Sequence, residues 1–170
     1  QIFRQSFEPK VEELGQNEIV AIRDGQYTPT VAVDQVQDLI ESGYDFSVLF
    51  IFNEEMAAAV VRTLKARGLL NNPIKVVTTN GAPYGIELIK EGSIQYSIST
   101  SPGWEGFVSF LALHAYTQGK ITEKNQQILL PNTPITPETI DDKKKVVPWD
   151  VDPVWLELTH EYFPQYDGLY

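Results

Sequence analysis

Four short groups of polar side chains stand out for the chemistry they could do: Asp24 to Tyr27, Asn53 to Glu55, Asn80 to Pro83 and Ser99 to Pro102. They hold amides, hydroxyls, carboxylates and one aromatic ring, with few obligate charges. A carboxamide presents a donor and an acceptor side by side, which matches a pair of neighbouring hydroxyls. The ring of Tyr27 suits stacking on the C–H face of a sugar. The set therefore fits a neutral polyhydroxyl ligand. Each residue also has a plain structural reading. Asn53 fits a helix N-cap, and Asn80-Gly81 fits a turn. It is the recurrence at four comparable places that favours a ligand.

Covalent chemistry finds less support. The two histidines, His114 and His160, fall in an apolar helical stretch and in the C-terminal tail. Neither has a metal-ligand spacing, and no nucleophile elbow or glycine-rich phosphate loop occurs. Glu54-Glu55 are adjacent at a predicted helix start and point apart, so their favourable interaction with the helix dipole is the simpler account. Cysteine is absent, which excludes disulfides and thiolate sites. We expect no enzyme activity, no metal and no cofactor.

The elements that must position these groups alternate. Strand-like runs at Glu18 to Ile22, Phe46 to Phe52, Ile74 to Thr79 and Ile94 to Ile98 are separated by helical patterns. The predicted helices run from Pro29 to Gly43, Glu54 to Arg67, Pro83 to Gly92 and Pro102 to Gly119. An earlier helical face, Phe3, Phe7, Val11 and Leu14, is interrupted by Pro9, which predicts a kink or restart. Strand and helix alternate with a period of roughly 25–30 residues, the rhythm of βαβ units and a mainly parallel sheet. The Phe46 to Phe52 run is apolar on both faces, so helices are expected on both sides of the sheet, a three-layer α/β/α lobe of flavodoxin-like shape. In such sheets ligands bind beyond the carboxyl ends of the strands, and that is where the four polar groups fall.

Past Gly119 the pattern fades. Ile128 to Leu130 suggests one more short strand. Residues 131–153 hold five prolines and the charged run Asp141 to Lys145, an extended and turn-rich arm. Trp155, Leu156, Leu158, Tyr162 and Phe163 suggest a short helix docking on the body. We divide the chain into a lobe over 1–140 and a tail over 141–170.

The chain has 170 residues, 42% of them hydrophobic, and a net charge of −10. That size suits one domain. The acidity argues against nucleic acid and anionic membrane surfaces. No apolar run approaches the ~20 residues of a membrane span. The chain opens on Gln1 in mid-pattern, without a basic and apolar leader. We expect a processed product, a designed truncation or a proteolytic piece.

The run from residue 46 to 119 resembles the second half of the type I periplasmic sugar-binding proteins. Val48-Leu-Phe-Ile-Phe-Asn53-Glu-Glu-Met-Ala57 is similar to their strand, Asn, acid-acid-Met-Ala helix start. Val76-Val-Thr-Thr-Asn80-Gly81-Ala-Pro is similar to their next strand, which ends in Asp or Asn before Gly. Glu87 to Pro102 and Gly103-Trp-Glu-Gly106 resemble the following helix, strand, Pro and helix start. The resemblance spans about residues 1–140.

The resemblance implies two similar lobes with a ligand between them, in chains about twice this length. It implies sugar binding without covalent chemistry, as the solute-binding component of an ABC-type carbohydrate transporter. The partners it implies are a carbohydrate ligand, the transporter permease and a first lobe. It places the protein in the periplasm or outside the cell, a surface lipoprotein included. The ligand-binding residues that carry over are Asn53, Asn80 and Thr100, with Tyr27 as the stacking aromatic and Arg23 as a further candidate. Asn80 stands where many members have Asp, and Thr100 where many have Gln, which leaves the sugar open. The helix at 103–119 lies on the first lobe in the family. Its apolar face is here expected to meet that lobe or a second copy. Two other readings share the fold: the effector domain of a sugar-responsive transcriptional repressor, and a small flavodoxin-like enzyme. The first needs a helix-turn-helix and the second a catalytic constellation, and neither is found.

Overall fold

The computed structural model describes residues 2–122 and 127–170, with side chains from Phe7 onward. Its helices are α1 (Ile2–Leu14), α2 (Pro29–Glu41), α3 (Glu54–Ala66), α4 (Pro83–Lys90), α5 (Pro102–Thr117) and α6 (Val154–Tyr162). Its strands are β1 (Val48–Ile51), β2 (Lys75–Thr78), β3 (Ser97–Ser99) and β4 (Thr133–Ile135). β1 and β2 pair in parallel, Val48 with Lys75 through Ile51 with Thr78. β3 lies parallel to β2 through the bridges Val77–Tyr96 and Asn80–Ser99, and β4 returns antiparallel to it. The expected α/β class with a mainly parallel sheet is the one observed.

The punctuation follows from local chemistry. Asn53 caps α3, its Oδ1 accepting from Met56 N at 2.9 Å. Ser101 caps α5 in the same way through Trp104 N. Thr28 has cap geometry, but its hydroxyl donates to the Gln26 carbonyl instead. α1 runs through Pro9 without restarting. Phe3 lies outside the residues whose side chains are described.

The first hydrophobic core gathers α2, α3, α4 and the sheet. Val60, Val61 and Leu64 of α3 are buried against Ile51, Ile74 and Val76. Each such side chain contributes about 1.5–3 kcal/mol. By strand alternation Phe50 faces the other way from Ile51, and there it stacks on Phe7 of α1 at 5.7 Å.

A second core is built by the tail. Trp104, Val108, Leu111 and Ala115 form one stripe of α5, buried against Val154, Trp155, Leu158, Phe163 and Tyr166. The docking helix expected near Trp155 is thus α6, and it covers one face of α5. Phe110, Leu113 and Tyr116 on the other side of α5 stay exposed.

Two strand expectations fail. Residues 18–22 join no ladder among the described residues, and Val20 and Ile22 are exposed. Their β-branched composition favours strand, but a strand is completed only by a neighbour that takes its backbone hydrogen bonds. Residues 128–130 likewise form no strand; the ladder beside β3 is taken by Thr133–Ile135. Pro134 is accommodated there because β4 lies at the sheet edge.

Candidate functional site

The carboxyl ends of the three parallel strands open on one edge, and the chain leaving each strand touches the next. Tyr27, from the loop before α2, sets its ring edge-on to Phe52 at 5.7 Å. The Phe52 carbonyl accepts from the Thr79 hydroxyl. Thr79 lies 3.0 Å from Asn80 Oδ1. The Asn80 carbonyl accepts from Thr100 N at 3.0 Å. Tyr27, Asn53, Asn80 and Thr100 therefore line one continuous wall. Arg23 is engaged elsewhere: it donates to its neighbour Ile22 O and lies over the ring of Tyr44, in the loop before β1.

Backbone strain concentrates on this wall. Gln26 and Tyr27 hold φ values of +50° and +51°, and Asn80 holds +105°. Such conformations are costly for residues with a side chain and persist only where the surroundings fix them. The Asp24 carboxylate fixes the first pair by accepting from Gln26 N at 2.9 Å. Tyr27 is thereby held out, 69% exposed. Asn80 is pinned from both sides, donating to Ile98 O and accepting from Thr100.

Polar groups on the wall keep unused capacity. Asn53 Oδ1 caps α3, while its NH2 has no partner among the described residues. The Thr100 hydroxyl lies 3.4 Å from Asn80 O, a marginal contact.

Two residues hold the wall together: Glu54, whose expected role was with its helix dipole, and Trp149, which nothing in the sequence singled out. Glu54 is not an exposed charge at its own helix end: it is 1% exposed. Its carboxylate accepts from Ser97 Oγ at 2.6 Å and Gly81 N at 2.8 Å, and Ala82 N lies at 3.4 Å. It thus ties the start of α3 to β3 and to the loop that opens α4. Burial pushes its pKa up, and the hydrogen bonds from Ser97, Gly81 and Ala82 pull the other way. Gly85 leaves the space it fills, since a Cβ there would lie 2.2 Å from Glu54 Cγ. A glycine inside a helix was the one available signal. Trp149, from the tail, donates its indole N–H toward Thr100 O at 3.0 Å and Asn80 O at 3.3 Å. No periodicity in the tail marked it.

The wall offers neutral donors and acceptors and an aromatic ring. The histidines lie away from it: His114 stacks on Phe110, and His160 pairs with Asp167. Among the described residues no group of three or more His, Asp or Glu side chains is placed to hold a metal ion.

Solved structures share this fold. An ABC transporter solute-binding protein from Bacillus halodurans C-125 with bound myo-inositol superposes with a TM-score of 0.73 at 21% identity, over 85% of this chain and 49% of its own. A galactofuranose-binding protein gives 0.72 at 20% identity, over 85% of this chain and 50% of its own. The arabinose transporter's binding protein from Shewanella sp. ANA-3, bound to L-arabinofuranose, gives 0.70 at 20%, over 96% and 51%. These likenesses show the fold that the chain shares with half of each of those proteins. The chain spans about half the length of those proteins. No curated protein matches it. A family model described as a periplasmic binding protein domain matches residues 1–121, and the chain belongs to that family.

Proposed function

We propose that this chain is the sugar-recognising second lobe of a solute-binding protein for carbohydrate uptake. The observation that carries the reading is the wall itself. Asn53, Asn80 and Thr100 follow the carboxyl ends of parallel strands, the ligand edge of open α/β sheets, and Tyr27 joins them from the loop before α2 through its contact with Phe52. Tyr27 offers a stacking face, Asn53 its NH2, and Thr100 its hydroxyl. The reaction is binding and release, with no covalent step. Domain closure around the ligand would then deliver it to a permease, which places the protein in the periplasm or on the outer face of a cell.

Calorimetry with myo-inositol, D-fucose, L-arabinose and D-allose tests the reading on the full-length protein. One of these or a related monosaccharide is expected to bind. Asn53→Ala should weaken that binding about 10- to 100-fold, the worth of one or two hydrogen bonds to a ligand hydroxyl. Unchanged affinity would remove Asn53 from the site. The isolated 170-residue chain should bind weakly or not at all, because one wall leaves much of a ligand wet. Sub-micromolar affinity in that chain would refute the half-cleft.

The exposed stripe of Phe110, Leu113 and Tyr116 is the surface we place against the other lobe. Without that lobe the stripe should pair two copies of the chain. A clean monomer by sedimentation at micromolar concentration would sink this.

A further inference from the structure

The two hydrophobic cores are joined by three passes of the chain. The first, at 99–103, leads from β3 into α5. The second returns from Leu130, packed on the tail core, to Ile135 in the sheet core. The third is abrupt: Val146 is buried in the sheet core and Val147 in the tail core. Any rotation of one core against the other must bend these passes.

The third pass is tied to the first along its length. Val147 N donates to Ser99 Oγ at 3.1 Å, and Ser101 Oγ donates to Pro148 O at 2.7 Å. Trp149 then reaches the carbonyls of both Thr100 and Asn80 with one N–H. Trp104 and Trp155 are buried members of the tail core, but Trp149 is half-buried and belongs to neither core. Its polar atom, not its bulk, is what it contributes. Thr100 O has no other partner among the described residues. Asn80 sits in a conformation that needs holding, and the indole is one of the groups that holds it.

We propose that Trp149 is a positioning residue: its indole N–H fixes the backbone of Asn80 and Thr100, and so couples the ligand wall to the joint between the two cores. A sugar that pulls on either side chain moves the carbonyl behind it, and the tail follows. The coupling to sugar rests on the binding reading above; the fixing of the backbone does not.

Trp149→Phe tests it, since phenylalanine keeps the ring and removes the donor. In 15N-labelled protein, the indole resonance missing from the variant is that of Trp149. Amide exchange at Val147 and Thr100 should be about tenfold faster in the variant, the effect of one hydrogen bond, while Leu64 in the sheet core stays unchanged. In the full-length protein, the sugar that binds best among the four above should shift the Trp149 indole resonance and leave that of Trp104 in place. Its affinity should fall about tenfold in the variant. Exchange at Val147 and Thr100 within twofold of wild type would overturn the proposal. So would a variant that fails to fold, because that would make Trp149 a core residue. If the wild type binds none of the sugars, the binding reading and the coupling to sugar fail, and the exchange rates still decide whether Trp149 positions the wall.

Discussion

Glu54→Ala is expected to lower folding stability by about 2–4 kcal/mol, the largest loss from any single polar side chain in the first core. The carboxylate accepts from the Ser97 hydroxyl and the Gly81 amide, with Ala82 N close by, and it forms no ion pair among the described residues. Truncation strands donors that cost about 1–3 kcal/mol each when buried without partners. It also removes a buried charge, whose desolvation is itself costly, and that offsets part of the loss. Chemical denaturation reads the difference. A loss below about 1 kcal/mol would mean that water replaces the carboxylate.

The same group gives a pH signature. Burial raises the folded-state pKa above the ordinary 4.5. Between the ordinary value and the raised one, the folded chain holds more protons than the unfolded chain. Stability from this group is therefore full below about 4.5 and is lost as pH rises through the folded pKa. Glu54→Gln keeps the shape and cannot ionise, so its stability should drop less than that of the wild type across that window. Tyr84 is the neighbouring titratable group: burial raises its pKa first, and the charges of Glu54 and Glu55 add to this. It ionises far above the window. Stability curves for wild type and Glu54→Gln that stay parallel from acid to neutral pH would refute the assignment.

Gly103→Ala is expected to loosen the tail core. A Cβ at this position would lie 2.2 Å from the Trp149 carbonyl oxygen and 2.6 Å from the Trp155 ring. Neither obstacle is a flexible side-chain end. Alanine gains about 1 kcal/mol over glycine within a helix, but overpacking costs about 1–3 kcal/mol and here meets backbone, so the clash should win. The variant should lose near-ultraviolet circular dichroism from its tryptophans and become cleavable by protease within 146–153. Gly106 is the control. It lies in the same helix with nothing within 4 Å, so Gly106→Ala should stabilise by about 0.5–1 kcal/mol. If both variants behave alike, the close approach at Gly103 is not what fixes the tail.

The sequence by itself determined the alternation of strand and helix, because apolar periodicity and caps are local. Asn53, Ser101 and the glycine stops act within a few residues of where they stand. It also marked the polar groups that follow β1, β2 and β3, and it marked the docking helix through its aromatic residues. Tertiary structure decided the rest. Residues 18–22 have the composition of a strand, but only a neighbouring strand completes one. Glu54 looked like a helix-end charge beside Glu55, and its role depends on Ser97 and Gly81, 43 and 27 residues away. Trp149 reaches the Asn80 carbonyl from 69 residues further along the chain. Residue type and spacing show what a side chain offers, but a hydrogen bond across such distances is set by how the two cores pack, and no local pattern encodes that.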